Sequence, residues 1–499
     1  VLIYALWRLY LSYNLKRHTI CWWRYSLATL VSILLMVPCI LGGMRGGLAH
    51  SVRPITVSNA NQYVNHPTEA SIVLNTPFSL IRTIGKNVFE EPKYFTDEKQ
   101  MLSYYSPIHQ PAPGTVMNKK NVVVLIVESF GREYIGSLNR DLDGGKYRGY
   151  TPFVDSLLTR SLTFEYTFAN GRKSIDAMPS TLSSIPMMVE PFFLTPASMN
   201  DLTGLAGMLH DKGYYSAFFH GAQNGSMGFE AFARATGYDK YFGRTEYNAD
   251  PKGGGDADFD GMWAVWDEPY LQHVVRMVNG FKQPFVASVF TASSHHPFKV
   301  PEQYAATFKD EGGQPIHKCV RYTDMALRKF FEAASKQPWY KNTVFVLVAD
   351  HTNQNTHPYY KTDQGLYSIP IIFYTPDGSL ETGVKQGVIA QQIDVLPTLM
   401  GILGYDKPYI AFGCDVLRTP AAQTWAFNYN NGVYQYFKGD FLLQFDGQKT
   451  KALYRFKTDP LLKQNLAGKL PNQSQLENEL KSLIQQYMHR MTTNTLIMK

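Results

Sequence analysis

Residues 121–131 read NVVVLIVESFG: six apolar side chains in a row, then a carboxylate, Glu128, then a turn. A strand with one wet face would alternate apolar and polar residues, and a free-standing helix would be longer. The run therefore predicts a short strand covered on both faces, as in a parallel sheet under helices. Four later segments share its character: YYSAFFH (214–220), PFVASVF (284–290), TVFVLVADH (343–351) and YSIPIIFYTP (367–376). Helical segments lie among them. TPFVDSLLTRS has Thr151 as N-cap and Pro152 at the first helical position, LTGLAGMLHDKG stops at Gly213, and IDVLPTLMGILG stops at Gly404. Strands alternating with helices predict an α/β fold, a mostly parallel sheet sandwiched by helices.

In such sheets ligands bind beyond the carboxyl ends of the strands. Glu128 stands at that end of the first strand, and Asp350 and His351 at the same end of a later one. Each acid alone reads equally well as the N-cap of the next helix. Two such ends meeting at one edge favour a divalent cation site of the Mn²⁺, Mg²⁺ or Zn²⁺ kind. A hydroxyl nucleophile is offered by NGRKSIDAMPSTLSSIP, where Ser174 follows a glycine turn. Ser174 bound to a cation would have its pKa lowered, and the neighbouring Arg172 and Lys173 would stabilise charge on a phosphoryl oxygen. Ser174 also reads as a helix N-cap with Asp176 in the first turn, a role compatible with the first.

The N-terminal part is of another kind. Tyr25 to Leu41 carries no charge over 17 residues. With its flanks it predicts a transmembrane helix over about 25–44 inside a membrane region of residues 1–45. A buried core helix is the alternative. The flanks favour the membrane: Lys16, Arg17 and Arg24 precede the run, and Trp22, Trp23 and Tyr25 form an interfacial belt. The apolar VLIYALWRLYLSY before them reads as the end of an earlier span. The basic flank stays inside, so residues after about 45 face outward. Residues 46–118 read as a connector, with prolines at 54, 67, 77, 92, 107, 111 and 113. Its middle, EASIVLNTPFSLIRTIGK, predicts a short helix lying on the membrane or on the main domain. The α/β domain then runs over 119–424. Residues 425–499 complete it with aromatic-rich antiparallel strands to about 457 and a helix over about 472–492.

Composition narrows the partners. Charged residues are 18% and aromatics 14%, which suits a membrane part joined to a globular part. The net charge of +7 is spread along the chain without a Lys/Arg block, so it points to no nucleic acid. Cys319 and Cys414 could pair in an oxidising compartment, and no CxxC or Cys/His array suggests zinc fingers. His220 reads as a loop-holding residue, and His357 as lining the site or facing solvent. Asp256, Asp258 and Asp260 lack complete calcium-loop spacing and read as a flexible, solvated acidic loop.

Taken together, VESFG, RKSID, VADHT and TASSHHPF resemble motifs of the lipoteichoic acid synthase group of membrane phosphoglycerol transferases, within the alkaline phosphatase and sulfatase superfamily. FFHG, GYDKYFG, VWDEPY, YTDMALRKFF and IDVLPTLMGILG follow in matching order. The resemblance covers about 118–460. It implies Glu128, Asp350, His351 and Ser174 as ligands of one cation, Mn²⁺ foremost with Mg²⁺ or Zn²⁺ as alternatives. It makes Ser174 the nucleophile in place of the family's usual threonine, and puts His295 on a substrate-site histidine. His296, next to it on an extended segment, points the other way. Two departures stand out. The family's Trp-Asn-Arg after FFHG is absent from AQNGSMGFEAFARATG, and Arg234 lies on an apparent helix. Ser174 also lacks the Pro and Arg that formylglycine sulfatases carry two and four places on, which argues against sulfate ester hydrolysis. The resemblance implies a phospholipid donor, a glycan or polyol acceptor, and a site on the outer side of a bacterial cytoplasmic membrane.

Overall fold

The structure is a computed structural model and describes residues 4, 7–8, 21–45, 56–64, 69–84, 88–310 and 313–498. The apolar segment 1–13, read above as the end of an earlier span, lies almost wholly outside the described residues. The chain divides into two compact units, residues 1–55 and 56–499. The first holds one long helix, α1 (Trp22–Arg45), whose Trp22–Gly43 stretch is long and apolar enough to cross a membrane.

The second unit is built on an eight-stranded sheet. Its strands are β1 (Asn121–Val127), β2 (Leu162–Phe168), β3 (Tyr215–His220), β4 (Lys240–Phe242), β5 (Phe285–Phe290), β6 (Thr343–Ala349), β7 (Ile371–Tyr374) and β8 (Gly383–Gln391). They lie in the order β4-β3-β5-β1-β6-β7-β2-β8. Every neighbouring pair is parallel except those of β7, which is antiparallel to both β6 and β2. The fifth segment read as a strand thus runs backwards within a sheet that is mostly parallel, as expected. The expected α/β architecture holds, and β2, β4 and β8 add to it. β1 lies centrally between β5 and β6, and all seven of its residues are buried, as its unbroken apolar run requires.

Helices cover the sheet as expected, with one difference at an N-terminus. α2 (Pro152–Leu158) has Pro152 at its first position, but Thr151 makes no side-chain cap. The cap comes from another helix, α3 (Ile316–Ala334). Its buried Asp324 accepts the N–H groups of Phe153 and Val154, both at 2.9 Å. A distant carboxylate gives two bonds where Thr151 could give one, and it staples the helices together. Residues 425–454 form the expected antiparallel meander of four strands, and a terminal helix spans Gln473–Thr493. Cys319 and Cys414 are both free thiols.

Replacing Asp324 by Ala strands two N–H donors at a buried helix end. Chemical denaturation should show a loss of about 1–3 kcal/mol with the strand-end residues untouched.

Candidate active site

The parallel register of β1 and β6 pairs Val127 with Ala349, so the next residue of each strand, Glu128 and Asp350, emerges side by side. β5 ends level with them: Thr291 N–H donates to the Ile126 carbonyl at 3.0 Å, and the Glu128 N–H donates to Thr291 Oγ1 at 3.0 Å. After Glu128 the chain turns through Ser129, whose φ of 53° lies in the left-handed region. That turn aims the Ser129 N–H at Asp350 Oδ1 (2.6 Å), which also accepts the His351 N–H (2.7 Å). The ligand atoms of Glu128, Asp350 and His351 lie within 4.8 Å of one another, and all three residues are buried.

Ser174 reaches the same point from β2. The chain leaving β2 passes Asn170 and Gly171 before a helix over Ser174–Ser183. A Cβ at Gly171 would lie 2.3 Å from the Asp176 Cβ, so only glycine fits there. Ser174 is the first helical residue and Lys173 the N-cap position, which corrects the reading of Ser174 as N-cap. Asp176 takes the capping part by accepting the Lys173 N–H at 3.1 Å. The Ser174 hydroxyl is thereby free to turn inward. It donates to Glu128 Oε2 at 3.1 Å and lies 3.4 Å from His351 Nε2. It also stands at the positive end of the helix, where negative charge is stabilised.

The electrostatics suit a cation. Burial, reinforced by the charge of Asp350, pushes the Glu128 carboxyl up to about 7, and burial pushes Asp350 up to about 7. Asp350 Oδ2 is buried and has no hydrogen-bond partner. His351 donates Nδ1–H to the Thr352 carbonyl at 2.8 Å, which leaves the Nε2 lone pair facing the carboxylates. Two acids, one imidazole lone pair and one hydroxyl form a hard-to-borderline donor set that fits a divalent cation.

His295 is half-buried beside this group, its Nδ1–H donated to the His296 carbonyl at 2.7 Å and its ring edge-on to Trp263 at 4.0 Å. Burial lowers its pKa although the Glu128 charge opposes this. His296 is exposed. Arg172 and Lys173 are exposed at the rim. Arg234 points along its own helix to Glu230 at 3.5 Å. His220 is buried, with Nδ1–H donated to the Phe290 carbonyl at 3.1 Å. His357 neither lines the cation group nor simply faces water: its Nδ1 lies 2.7 Å from the buried Glu133, which also accepts the His357 N–H. The acidic loop is exposed at Asp256, as expected, but its acids are also paired locally. Asp256 pairs with Arg244, Asp258 takes the Tyr247 hydroxyl, and Asp260 accepts three consecutive N–H groups, Trp263's among them.

Three supporting residues escaped the sequence reading. Gln392 accepts the Asn170 N–H at 2.8 Å and donates to the carbonyls of Ala349 and Asp350 at 2.9 and 2.7 Å, joining the serine segment to the cation pair. Asp267 accepts the N–H groups of Ala292 and Ser293 and the Thr323 hydroxyl, fixing the loop that carries His295. Asn353 donates to Ser129 Oγ at 3.0 Å. The only signal for them was position beside landmarks of the resemblance: Asp267 lies in VWDEPY, Gln392 directly precedes IDVLPTLMGILG, and Asn353 directly follows VADHT.

A cation competes with protons for Glu128 and Asp350. Both carboxyls must be ionised to ligate, so cation affinity should rise with pH through about 7 and weaken by up to about ten-fold per carboxyl for each pH unit below it. Calorimetric titration in buffers of differing ionisation enthalpy measures both affinity and protons released. Gln392→Leu should weaken cation binding in the same assay and cost roughly 2–4 kcal/mol in denaturation, because it leaves an N–H and two carbonyls unpaired.

Comparison with known proteins bears on the family and the fold. The family model described as Sulfatase matches residues 120–405. Among curated proteins the chain is similar to the lipoteichoic acid synthase-like protein YvgJ of Bacillus subtilis, 26% identical over 406 residues, 74% of this chain and 63% of that protein. Lipoteichoic acid synthase 1 of B. subtilis is 26% identical over 74% of this chain and 58% of its own length. The lipoteichoic acid synthase of Staphylococcus aureus is 24% identical over 81% and 63%. The chain thus spans about three-fifths of the length of these relatives. Two solved structures share the fold. A protein in the alkaline phosphatase superfamily from Vibrio parahaemolyticus gives a TM-score of 0.66 at 23% identity, covering 81% of this chain and 98% of that one. The lipoteichoic acid synthase LtaP of Listeria monocytogenes gives 0.60 at 19%, covering 84% and 98%.

Proposed function

The chain belongs to the Sulfatase family, and from that premise we propose that it is a membrane-anchored, cation-dependent transferase. In this reading it moves a phosphorylated headgroup, of the phosphoglycerol type, from a membrane phospholipid to an acceptor hydroxyl on a glycan or polyol. The single observation that carries it is Ser174: a buried hydroxyl at a helix N-terminus, hydrogen-bonded to one of three clustered side chains that could hold a metal ion. The similarity to lipoteichoic acid synthases supports the phosphoglycerol class, and the apolar helix α1 supports the anchor, with the site on the outer face of the membrane.

Glu128, Asp350, His351 and the Ser174 oxygen would hold one cation, Mn²⁺ foremost. When bound, it would lower the pKa of the Ser174 hydroxyl and draw charge from a phosphoryl oxygen. Ser174 Oγ attacks the lipid phosphorus. An O–P bond forms on serine, the phosphorus–oxygen bond to diacylglycerol breaks, and the serine proton ends on the departing diacylglycerol oxygen. In the second half the acceptor oxygen bonds to phosphorus, and its proton ends on the released Ser174. His295, kept neutral by burial and placed beside the Glu128 charge, is suited to carry these protons. Arg172 and Lys173 at the rim, with the helix N-terminus, would receive the phosphoryl oxygens.

The test is the intact mass of the reconstituted chain after incubation with Mn²⁺ and phosphatidylglycerol, then phosphatidylethanolamine, followed by peptide mapping. A glycerophosphoryl or phosphoethanolamine adduct on Ser174 is expected, and it should vanish in Ser174→Ala together with roughly 10³-fold or more of the turnover. Full activity in Ser174→Ala would sink the mechanism. Release of free headgroup phosphate to water, with no transfer to an added glycan acceptor, would make the protein a phosphodiesterase instead.

A further inference from the structure

We propose that residues 70–84 form a second membrane contact, an element lying in the lipid interface that holds the catalytic unit against the bilayer. The inference rests on the membrane-anchored reading above and adds to it a surface and its partner. The sequence left this segment open between the membrane and the main domain, and its packing favours the first. It forms two short helices, Ala70–Val73 and Thr76–Thr83, and the longer one buries none of its residues. Ile72, Leu80, Ile81 and Ile84 are 85%, 57%, 75% and 66% exposed, and Val73 is exposed beside them. Elsewhere in the unit, among the described residues, exposed large apolar side chains are scattered singly, at Tyr63, Ile108, Val116, Leu194, Val384, Leu461 and Met498. Isolated exposed side chains are ordinary, but five within 13 positions make a patch.

A lipid surface is the occupant that the local chemistry fits. Arg82 and Lys86 lie within residues 70–89, with Glu69 just before and Glu90 and Glu91 just after, so the apolar side chains rather than net charge carry the fit to a lipid interface. Several polar groups of the longer helix are satisfied locally. Asn75 caps the Phe78 N–H, and the hydroxyls of Ser79 and Thr83 donate to the carbonyls of Asn75 and Ser79 at 3.1 and 2.8 Å. A helix so closed loses little on entering an apolar medium.

The element is also joined to the active-site edge of the sheet. The 3₁₀ turn just before it, Val57–Tyr63, is docked on the catalytic unit through Ser58, whose hydroxyl donates to the Phe193 carbonyl at 3.1 Å, and Asn61, which donates to the Ser198 carbonyl at 3.2 Å. Phe193 packs on Phe229, and Phe229 lies against His220 at the carboxyl end of β3. A membrane contact there would bring the sheet edge carrying Ser174 toward the headgroup layer.

The test uses the full chain in liposomes containing phosphatidylglycerol, with Cys21→Ser and Cys39→Ser and one environment-sensitive fluorophore on Ile81→Cys. A control carries the label on Lys449→Cys, on an exposed turn of the meander. The Ile81 label should emit blue-shifted and be quenched by lipids brominated on their acyl chains, while the control should not. Quenching by aqueous iodide alone would place the segment in water and overturn the proposal. Shielding from both quenchers would put a protein surface over the patch and overturn it equally. In a second measurement, Leu80→Glu with Ile81→Glu should lower turnover of a bilayer-embedded donor by roughly ten-fold and leave a small chromogenic phosphodiester unaffected. Equal loss on both substrates would overturn the positioning role. Bromolipid quenching in a protein that turns over no lipid donor would uphold the contact and overturn only the transferase reading.

Discussion

The pairing of Val127 with Ala349 is the contact on which the rest of the site depends. It is a backbone register, set by seven buried residues on each of two parallel strands, and it forces Glu128 and Asp350 out side by side into a dry edge. Two carboxylates with oxygens within 4.8 Å repel by about 3–4 kcal/mol even at an effective dielectric of about 20. A one-residue slip would relieve the repulsion, but it would also turn every side chain of the strand to the opposite face. The core therefore holds the acids together against their own charge. Burial raises both carboxyls to about 7, and at Glu128 the charge of Asp350 adds to the rise.

The groups that must meet those acids arrive by separate routes, and each route ends in a buried side chain that fixes it to the sheet. Ser174 comes from β2, two strands away from β6, and Gln392 ties the start of its segment to the Ala349 and Asp350 carbonyls. His295 comes from β5, and Asp267 ties its loop to two helices at once. The loop beyond His351 is held by Glu133, which accepts from Thr356 and His357. Gln392, Asp267 and Glu133 touch no reacting atom, yet each sets a distance that the chemistry needs.

This division explains what could be read from the sequence. The central strands were legible because burial on both faces leaves an unbroken apolar run, and Glu128, Asp350 and His351 were legible because they directly follow such runs. β2 and β8 were not. LTFEYTF is interrupted by Glu165, which accepts the Gly387 N–H at 2.6 Å where the register shifts, and GVKQGVIAQ begins exposed and polar. The reversed direction of β7 leaves no mark in YSIPIIFYTP, since a strand buried on both faces looks the same in either direction. Gln392 and Asp267 were hidden for a related reason. Their partners lie 222 and 25 residues away, and nothing local distinguishes them from ordinary first-turn helix residues.

The hydrogen bonds also orient the groups of the site. Glu128 accepts on both oxygens, from the Ser129 hydroxyl at 2.7 Å and the Ser174 hydroxyl at 3.1 Å. Asp350 Oδ1 accepts two N–H groups. Asp350 Oδ2 remains, 3.2 Å from His351 Nε2, whose lone pair is left without a donor because Nδ1–H is given to Thr352. The Ser174 hydroxyl is already pointed at Glu128 by the fold, 3.1 Å from Oε2. Such an arrangement gives the serine its orientation without a rearrangement of the chain.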